Sequence, residues 1–268
     1  MNPSMFDLTG RVAFVSGAGS GFGRAISVAL AEAGADVMLV GRTLSRLEAT
    51  AQQVAGFGRR ALPVVCDVSE PRQIDALFER LDREFGRIDI QFNVAGEGIL
   101  NRPEDLTLEQ LQRVLQNLVV GRFYCCQQAG RRMLAAGKGS IVNIASIAGL
   151  TAMGRSHIAY SMAMGAVIQM TRELSTEWSG RGVRVNAILP AQVPSPHNRL
   201  EERMRDDPKL RDNFLRGLPI GRLGVPEDIQ GLAVLLASDA SSWMTGAIIS
   251  LDGGNLAKNA GGSHPGMP

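Results

Sequence analysis

Cysteine is scarce in this sequence, and long hydrophobic runs are missing. The three cysteines, Cys66, Cys125 and Cys126, have neither the number nor the spacing of a disulfide framework or a metal-binding motif. No run reaches the ~18 apolar residues of a membrane-spanning helix. The opening stretch MNPSMFDLTGRVAFVSG does not have the charged start and apolar run of a secretory signal. We therefore expect a reduced, cytoplasmic protein with no metal site and no membrane partner.

Lysine and net charge are also in short supply. Lys138, Lys209 and Lys258 are the only lysines, and the net charge is +2. So small a charge gives no reason to expect a nucleic acid partner. The length of 268 residues and the 45% hydrophobic content suit a soluble protein with a full core. Because no linker or repeat divides the chain, residues 1–255 are predicted to form one domain, followed by a mobile Gly/Pro-rich tail at 256–268.

Short apolar segments alternate with longer amphipathic ones along the chain. The short segments are apolar throughout, as expected of strands buried on both faces, and the longer ones have helical spacing. This alternation predicts an α/β protein with a Rossmann-like, doubly wound, seven-stranded parallel sheet and helices on both faces. The predicted strands are 11–17, 36–42, 60–69, 88–96, 139–146, 183–190 and 246–254, and the main helices are 23–35, 43–58, 71–86, 107–136, 158–179 and 226–238.

A glycine-rich loop, SGAGSGFG at 16–23, leaves the first predicted strand and opens the first helix. Glycines let the main chain approach a pyrophosphate, and the helix N-terminus offers unpaired N–H groups to it. The alternative is a tight turn that binds no ligand. The residues of this loop predicted to bind a dinucleotide cofactor are Gly17, Ser20, Gly21, Phe22 and Gly23.

The second predicted strand ends in VGR, with Gly41 where a dinucleotide fold often has a ribose-binding acid. Arg42 follows it. A 2′-hydroxyl loses its carboxylate acceptor here, whereas a 2′-phosphate gains a guanidinium partner. The sequence therefore favours NADP, with NAD as the other possibility. The competing interpretation of Arg42 is a solvated surface charge.

Further motifs follow in order: CDVS (66–69), NVAG (93–96), GSIVNIASIAG (139–149), AYSMAMGAV (159–167), RVNAILPAQVPS (184–195) and the segment 221–254. Together with the glycine-rich loop, they make the sequence resemble the short-chain dehydrogenase/reductase family over nearly its whole length. The cofactor contacts that this resemblance implies beyond the first loop and Arg42 are Asp67, Val68, Asn93, Ala95, Gly96, Tyr160, Pro190, Val193 and Ser195.

The resemblance also implies a reaction. Members of the family transfer a hydride between a nicotinamide and an alcohol or carbonyl, here on a small molecule of sugar, polyol or oxoacyl type. Ser146 would hydrogen-bond the substrate oxygen, and Tyr160 would pass a proton to or from it. Residues 194–218 would fold over the substrate as a lid. The family also implies a homotetramer.

The chain departs from the family pattern at four positions. Met164 stands where the family has the lysine of its YxxxK motif. The helix asparagine of the family's proton relay falls on Leu118, with Asn117 one place early, and a local helix bulge would bring Asn117 into line. Val94 replaces an asparagine, and Ala191 replaces a glycine.

The missing lysine bears on Tyr160. An unperturbed tyrosine titrates near ~10, and a nearby cation lowers a pKa by ~1–3 units, which Met164 does not do. Arg155 and His157 are candidate substitutes, although a lid-hinge arginine and a partly exposed histidine are simpler interpretations. Glu97 is either an extra acid or base group or a solvated glutamate. The hypotheses are an NADP-dependent oxidoreductase with an altered proton relay, a catalytically silent relative that binds cofactor or a partner, and a lyase or isomerase using the same pocket.

Overall fold

A computed structural model describes residues 3–194 and 200–258 of the chain. Seven strands form one sheet in the order β3-β2-β1-β4-β5-β6-β7, and every neighbouring pair is parallel. The predicted seven-stranded parallel sheet is confirmed. The strands are β1 (Val12–Ser16), β2 (Asp36–Gly41), β3 (Ala61–Val65), β4 (Ile90–Asn93), β5 (Gly139–Ile144), β6 (Val183–Pro190) and β7 (Ile248–Leu251).

Helices separate the strands, as the alternation of the sequence predicts. A proline starts α3 and the left-handed Gly86 ends it, which are the usual start and stop signals of a helix. The helices within the described residues are α1 (Gly21–Glu32), α2 (Leu44–Ala55), α3 (Pro71–Phe85), α4 (Leu108–Leu115), α5 (Gly121–Ala136), α6 (Ile158–Trp178), α7 (Leu200–Asp206), α8 (Pro208–Arg216) and α9 (Gln230–Ala237).

The sheet is buried on both faces because successive side chains of a strand point in opposite directions. In β1, Ala13 and Val15 pack on the face covered by α1, α2 and α9, whereas Phe14 packs on the face covered by α3 and α5. Phe14 stacks on Phe78 of α3 with ring centroids 5.3 Å apart. A third apolar cluster joins α4, α6 and β6. Helices therefore cover both faces, as predicted.

The strand order reverses between β1 and β4. From β1 the chain builds outward through β2 and β3, and from β4 it builds the other way to β7. Loops that leave the carboxyl ends of these strands diverge at this point, and they create a crevice in which α/β proteins bind ligands. The fold therefore locates the candidate site beside the β1 and β4 ends.

The long predicted helix at 107–136 is interrupted by a π-helical turn, Gln116–Val120, between α4 and α5. Such a turn accommodates one extra residue in a helix. The first residue of α5 is Gly121, and a Cβ there would lie 1.8 Å from the Val68 carbonyl oxygen. The glycine thus lets the start of α5 approach the loop after β3 closely.

The predicted lid and tail are described only in part. Residues 195–199 of the lid and 259–268 of the tail lie outside the described residues. The rest of the lid forms α7 and α8, and Leu256 at the start of the tail packs against the third cluster. Within the described ranges, no helix combines the length and apolar character needed to cross a membrane.

Candidate active site

A cavity of about 860 Å³ lies at the carboxyl edge of the sheet. The loops that follow β1 to β6 line it, together with residues of α8. Of the predicted site residues, Gly23 and Asn93 lie behind this lining, and Ser195 lies outside the described residues. The predicted residues that line the cavity are Gly17, Ser20, Gly21, Phe22, Arg42, Asp67, Val68, Ala95, Gly96, Ser146, Tyr160, Pro190 and Val193.

Two glycines of the glycine-rich loop pack closely against neighbouring main-chain atoms. A Cβ at Gly17, where φ is +70°, would lie 3.0 Å from the Ala95 nitrogen, and a Cβ at Gly23 would lie 2.1 Å from the Gly17 carbonyl oxygen. Gly21, with a φ of +50°, instead has no atom within 4 Å of a Cβ among the described residues. The open side faces the cavity at the start of α1, which fits a pyrophosphate group.

Ser16 joins the glycine-rich loop to the loop after β4. Its buried hydroxyl oxygen accepts hydrogen bonds from the main-chain nitrogens of Val94 at 3.0 Å and Ala95 at 3.2 Å. Asn93 points away from the cavity and donates to the Asn143 side-chain oxygen at 3.0 Å. Asn93 therefore fixes the β4 loop from behind.

Arg42 and Asp67 lie at the end of the cavity next to β2 and β3. Arg42 forms an ion pair with Glu97, and the two side chains are 55% and 49% exposed. Asp67 accepts hydrogen bonds from the Ser69 main-chain nitrogen at 2.9 Å and hydroxyl at 2.7 Å, which hold the loop in a turn. Arg46 also lines this end. Two guanidinium groups therefore lie at this end of the cavity, and that of Arg42 is paired with Glu97.

Ser146 follows β5, and Tyr160 lies in the first turn of α6. The Ser146 hydroxyl accepts a hydrogen bond from the Ala148 nitrogen at 3.2 Å, which orients the serine. Burial raises the pKa of Tyr160, while the Ser146 hydroxyl and the charge of Arg122 lower it. Because the net direction is upward, Tyr160 is a neutral phenol at neutral pH and able to donate a proton.

Met164 lies one helical turn after Tyr160 and also lines the cavity. It is 1% exposed and belongs to the apolar cluster that includes Leu118. A Cβ at Gly149 would lie 2.7 Å from the Met164 carbonyl carbon, so the main chain is tightly packed there. The position therefore places an apolar side chain near the tyrosine.

Arg155 and His157 precede Tyr160 on a loop. Arg155 stacks its guanidinium over the Phe214 ring of α8, 4.7 Å from the ring centroid. His157 lies edge-on to the Tyr160 ring at 6.2 Å between centroids. Burial is the main influence on His157 and lowers its pKa, so it is neutral at neutral pH. The contact with Phe214 favours the lid-hinge interpretation of Arg155. His157 is uncharged and therefore does not supply Tyr160 with a positive charge.

The π-helical turn brings Asn117 to the cavity. The Asn117 side-chain oxygen accepts a hydrogen bond from the Glu97 nitrogen at 3.0 Å. Leu118 also lines the cavity but is 2% exposed, and its Cδ2 would lie 2.1 Å from a Cβ at Gly96. The helix bulge considered in the sequence analysis is therefore present as the π-helical turn, and it places Asn117 beside the loop after β4.

Arg122 is, with Arg46 and Gln192, a residue of the cavity lining that the sequence analysis does not identify. It lines the cavity, is 3% exposed, and donates to the main-chain oxygens of Ile144 at 2.6 Å and Ala95 at 3.2 Å. Its Nε is buried without a partner among the described residues. Burial lowers its pKa. The only signal in the sequence is an arginine directly after the glycine that starts α5, and arginines on helices usually face solvent.

Cys125 and Cys126 lie in the core, and Cys66 is also buried but borders the cavity next to Asp67. Cys66, Cys125 and Cys126 are all buried and reduced. Burial raises the pKa of Cys66 and of Cys126 to about 12. The part of the chain that the structure describes contains no cluster of His, Cys, Asp or Glu side chains suited to a metal ion. The site therefore consists of the glycine-rich loop, two arginines at one end, and Ser146 with Tyr160 at the other.

A known protein family and individual proteins match this sequence over most of its length. The sequence model of a family described as Enoyl-(Acyl carrier protein) reductase matches residues 17–255. The chain is 39% identical over 253 residues to D-threitol dehydrogenase of Mycolicibacterium smegmatis, covering 94% of this chain and 95% of that protein. It is 38% identical over 255 residues to 2-dehydro-3-deoxy-D-gluconate 5-dehydrogenase of Bacillus subtilis, covering 94% and 97%.

Solved structures share the fold. A gluconate 5-dehydrogenase from Burkholderia cenocepacia J2315, in complex with NADP and tartrate, superposes with a TM-score of 0.90 at 28% identity. The match covers 97% of this chain and 100% of that one. A short-chain type dehydrogenase/reductase from Mycobacterium marinum superposes with a TM-score of 0.86 at 33% identity, covering 96% and 100%.

Proposed function

Since this chain belongs to the short-chain dehydrogenase/reductase family, we propose that it is an NADP-dependent oxidoreductase acting on the CH–OH group of a polyol or sugar acid, or on the corresponding carbonyl. The observation that carries the proposal is the meeting of Ser146 and Tyr160 with the glycine-rich loop in one cavity. A hydroxyl, a phenol and a pyrophosphate cradle are the parts that hydride transfer to a carbonyl needs.

The cofactor would lie along the carboxyl edge of the sheet. Its pyrophosphate would rest on the glycine-rich loop, its adenosine between Arg42 and Asp67, and its nicotinamide near Pro190 and Val193. When bound, it supplies or accepts the hydride. Arg42 and Arg46 support NADP over NAD, because two guanidinium groups are matched to a phosphate and poorly matched to a free ribose hydroxyl.

The protein's part in the reaction is to hold the substrate oxygen and move its proton. Ser146 would hydrogen-bond that oxygen, and Tyr160 would donate a proton to it in reduction or take the proton in oxidation. We infer that Met164 replaces the family lysine and that Asn117 reaches the relay position through the π-helical turn. The relay is therefore altered. The raised pKa of Tyr160 keeps the phenol protonated at neutral pH, so the form that donates a proton in reduction is abundant and the basic form needed for oxidation is scarce.

The substrate class is proposed from the relatives and from Gln192. The relatives named above act, by their names, on threitol and on sugar acids. Gln192 lines the cavity, and its side-chain oxygen is buried without a partner among the described residues. An unpaired buried acceptor is costly, and a substrate hydroxyl can donate to it. A polyhydroxylated substrate fits this acceptor better than an acyl chain does.

A substrate panel tests the proposal. Purified protein is assayed by the absorbance of reduced nicotinamide with NADP or NAD and threitol, galactitol and gluconate, and with NADPH and an oxoacyl or enoyl thioester. We expect turnover of a polyol or sugar acid with NADP, abolished in Tyr160→Phe. Turnover of the thioester alone would contradict the proposed substrate class, and activity unchanged in Tyr160→Phe would contradict the proposed site.

A silent relative is the second candidate, and the buried Met164 is the observation that favours it. In that case NADPH binds but no member of the panel is turned over at any pH. A lyase or isomerase would convert substrate without a change in nicotinamide absorbance, which chromatography of the products detects. The three candidates therefore give three different results in one set of assays.

We also propose the domain boundaries, the compartment and the assembly of the protein. Residues 1–255 would form one domain with 194–218 as its lid, in the cytoplasm. A homotetramer is supported by large apolar side chains left exposed on the π-helical turn, α5 and α6, namely Val120, Phe123 and Met162 at 47%, 40% and 47%. Side chains of this kind on long helices are usually covered by another subunit.

A further inference from the structure

Building on the proposed function, we propose that the buried guanidinium of Arg122 supplies the positive charge for Tyr160 that the family lysine supplies elsewhere, delivered from α5 instead of α6. Arg122 and Met164 line the same cavity as Tyr160. The cation lies on α5, and the apolar residue lies on α6, the helix that carries Tyr160. This arrangement is expected if the positive charge near the tyrosine has moved from α6 to α5. Arg122 then acts through Tyr160 as a positioning residue.

Burying the Arg122 guanidinium has an electrostatic cost. A charge removed from water is unfavourable unless it is paired, and buried arginines normally meet a carboxylate. Here the hydrogen-bond partners among the described residues are two main-chain oxygens, those of Ile144 and Ala95, and the Nε has none. Packing alone does not explain a guanidinium at this place, since an apolar residue of similar volume would avoid the cost.

The hydrogen bonds tie Arg122 to the two strand ends that build the site. Ile144 is two residues before Ser146, and Ala95 belongs to the loop after β4. The neighbouring Gly121 allows α5 to start against the Val68 carbonyl, so the arginine begins close to the sheet edge. The guanidinium is therefore held in a fixed position relative to Ser146 and Tyr160.

The electrostatics agree with this placement. The charge of Arg122 lowers the pKa of Tyr160 against the larger effect of burial, and in return the tyrosine contributes to raising that of Arg122. The other charged or titratable groups around Tyr160 do not supply it with a positive charge. His157 is neutral, Arg155 stacks on Phe214, and Glu97 pairs with Arg42.

The chain offers a direct measurement, because it has only two tyrosines, Tyr124 and Tyr160. Tyr124 is hydrogen-bonded to Asp75, outside the lining of the cavity. In a Tyr124→Phe background, the ultraviolet absorbance of tyrosinate therefore reports Tyr160 alone. A stopped-flow pH jump reads the folded protein before alkaline unfolding. No substrate or cofactor is present, so this result is independent of whether the proposed reaction is correct.

In this background, Arg122→Met should lower the ionisation constant of Tyr160 by about tenfold or more, the size of effect typical of losing a nearby cation. Arg122→Lys should retain most of the original value. Arg184→Met is the matched control, since Arg184 is also largely buried and donates to main-chain oxygens, those of Leu236 and Ser238.

A merely structural Arg122 predicts a different outcome. Arg122→Met would then lower stability, as Arg184→Met does, with no change in the titration of Tyr160, and the proposal would be overturned. If Arg122→Met does not fold, the Nε resonance of Arg122 decides the matter in the Tyr124→Phe protein. It should shift with pH as Tyr160 ionises and lose that shift in Tyr160→Phe. A resonance that stays constant through the ionisation of Tyr160 would equally refute the proposal.

Discussion

Replacing Glu97 with glutamine should tighten the binding of NADPH, because the Glu97 carboxylate now holds the guanidinium that the cofactor phosphate needs. The Arg42–Glu97 ion pair lies at the cavity, and a phosphate placed beside Arg42 must compete with it. In the Glu97→Gln protein the guanidinium is freed and the repulsion between carboxylate and phosphate is removed. Both effects act in the same direction.

The magnitude follows from exposure. Two unit charges at 4 Å interact by about 1 kcal/mol in water and about 4 kcal/mol at an effective dielectric of about 20. Arg42 and Glu97 are 55% and 49% exposed, so the lower value applies. Measured exposed ion pairs contribute ~0.2–1 kcal/mol. Release of the ion pair and loss of the repulsion together should therefore be worth about 1 kcal/mol, or roughly a fivefold lower Kd.

The assay is a fluorescence titration of NADPH and NADH with the two proteins at low and moderate salt. The gain should be confined to NADPH and should shrink as salt screens the charges. Glu104→Gln is the control, since this exposed glutamate lies outside the cavity lining. In an Arg42→Ala background, Glu97→Gln should have at most half of its effect. An equal gain for NADH, or weaker binding of NADPH in Glu97→Gln, would refute the reasoning.

Other changes give independent tests. Arg42→Ala should remove a preference for NADPH over NADH that we expect to be at least about tenfold, or ~1.4 kcal/mol, in measured Kd values; equal affinities in the unaltered protein would contradict it. Met164→Lys alone should lower the free energy of unfolding by several kcal/mol in denaturant titrations, because the lysine is buried uncompensated, whereas Met164→Leu should cost less than about 1.5 kcal/mol. The oxidative rate should rise towards alkaline pH, because the raised pKa of Tyr160 keeps its basic form scarce at neutral pH; a flat profile would exclude Tyr160 as the base. Phe123→Asp should reduce the mass measured by light scattering, and an unaltered protein that is monomeric at micromolar concentration would contradict the proposed assembly.

The strands and the glycine-rich loop were predictable because their signals are local. An apolar run such as VRVNAILP gives β6, and the predicted and observed bounds of this strand agree. Gly23 is required by its contact with Gly17 within the strand–loop–helix unit itself, whereas the close neighbour of Gly17 is Ala95 in the loop after β4. The predicted residues of the cavity come together because parallel strands end at one edge, so that correct strands place their loops correctly.

The π-helical turn and Arg122 were harder to predict for a physical reason. Residues 116–120 have ordinary helical composition, and the extra residue is revealed only by the distance between Asn117 and Gly121 relative to the family pattern. Arg122 follows a glycine whose purpose is contact with Val68, more than fifty positions away in sequence. Burial of a charge depends on packing between distant elements, which the local pattern does not encode.

The Ser16 hydroxyl has a consequence for how the site fluctuates. One oxygen holds the amides of Val94 and Ala95 where the sheet divides between its two halves. These amides should therefore exchange with deuterium at the rate at which the end of β1 opens, and Ser16→Ala should release both together. The glycine-rich loop and the loop after β4 thus form a single cooperative unit, and a ligand that orders one of them slows hydrogen exchange in the other.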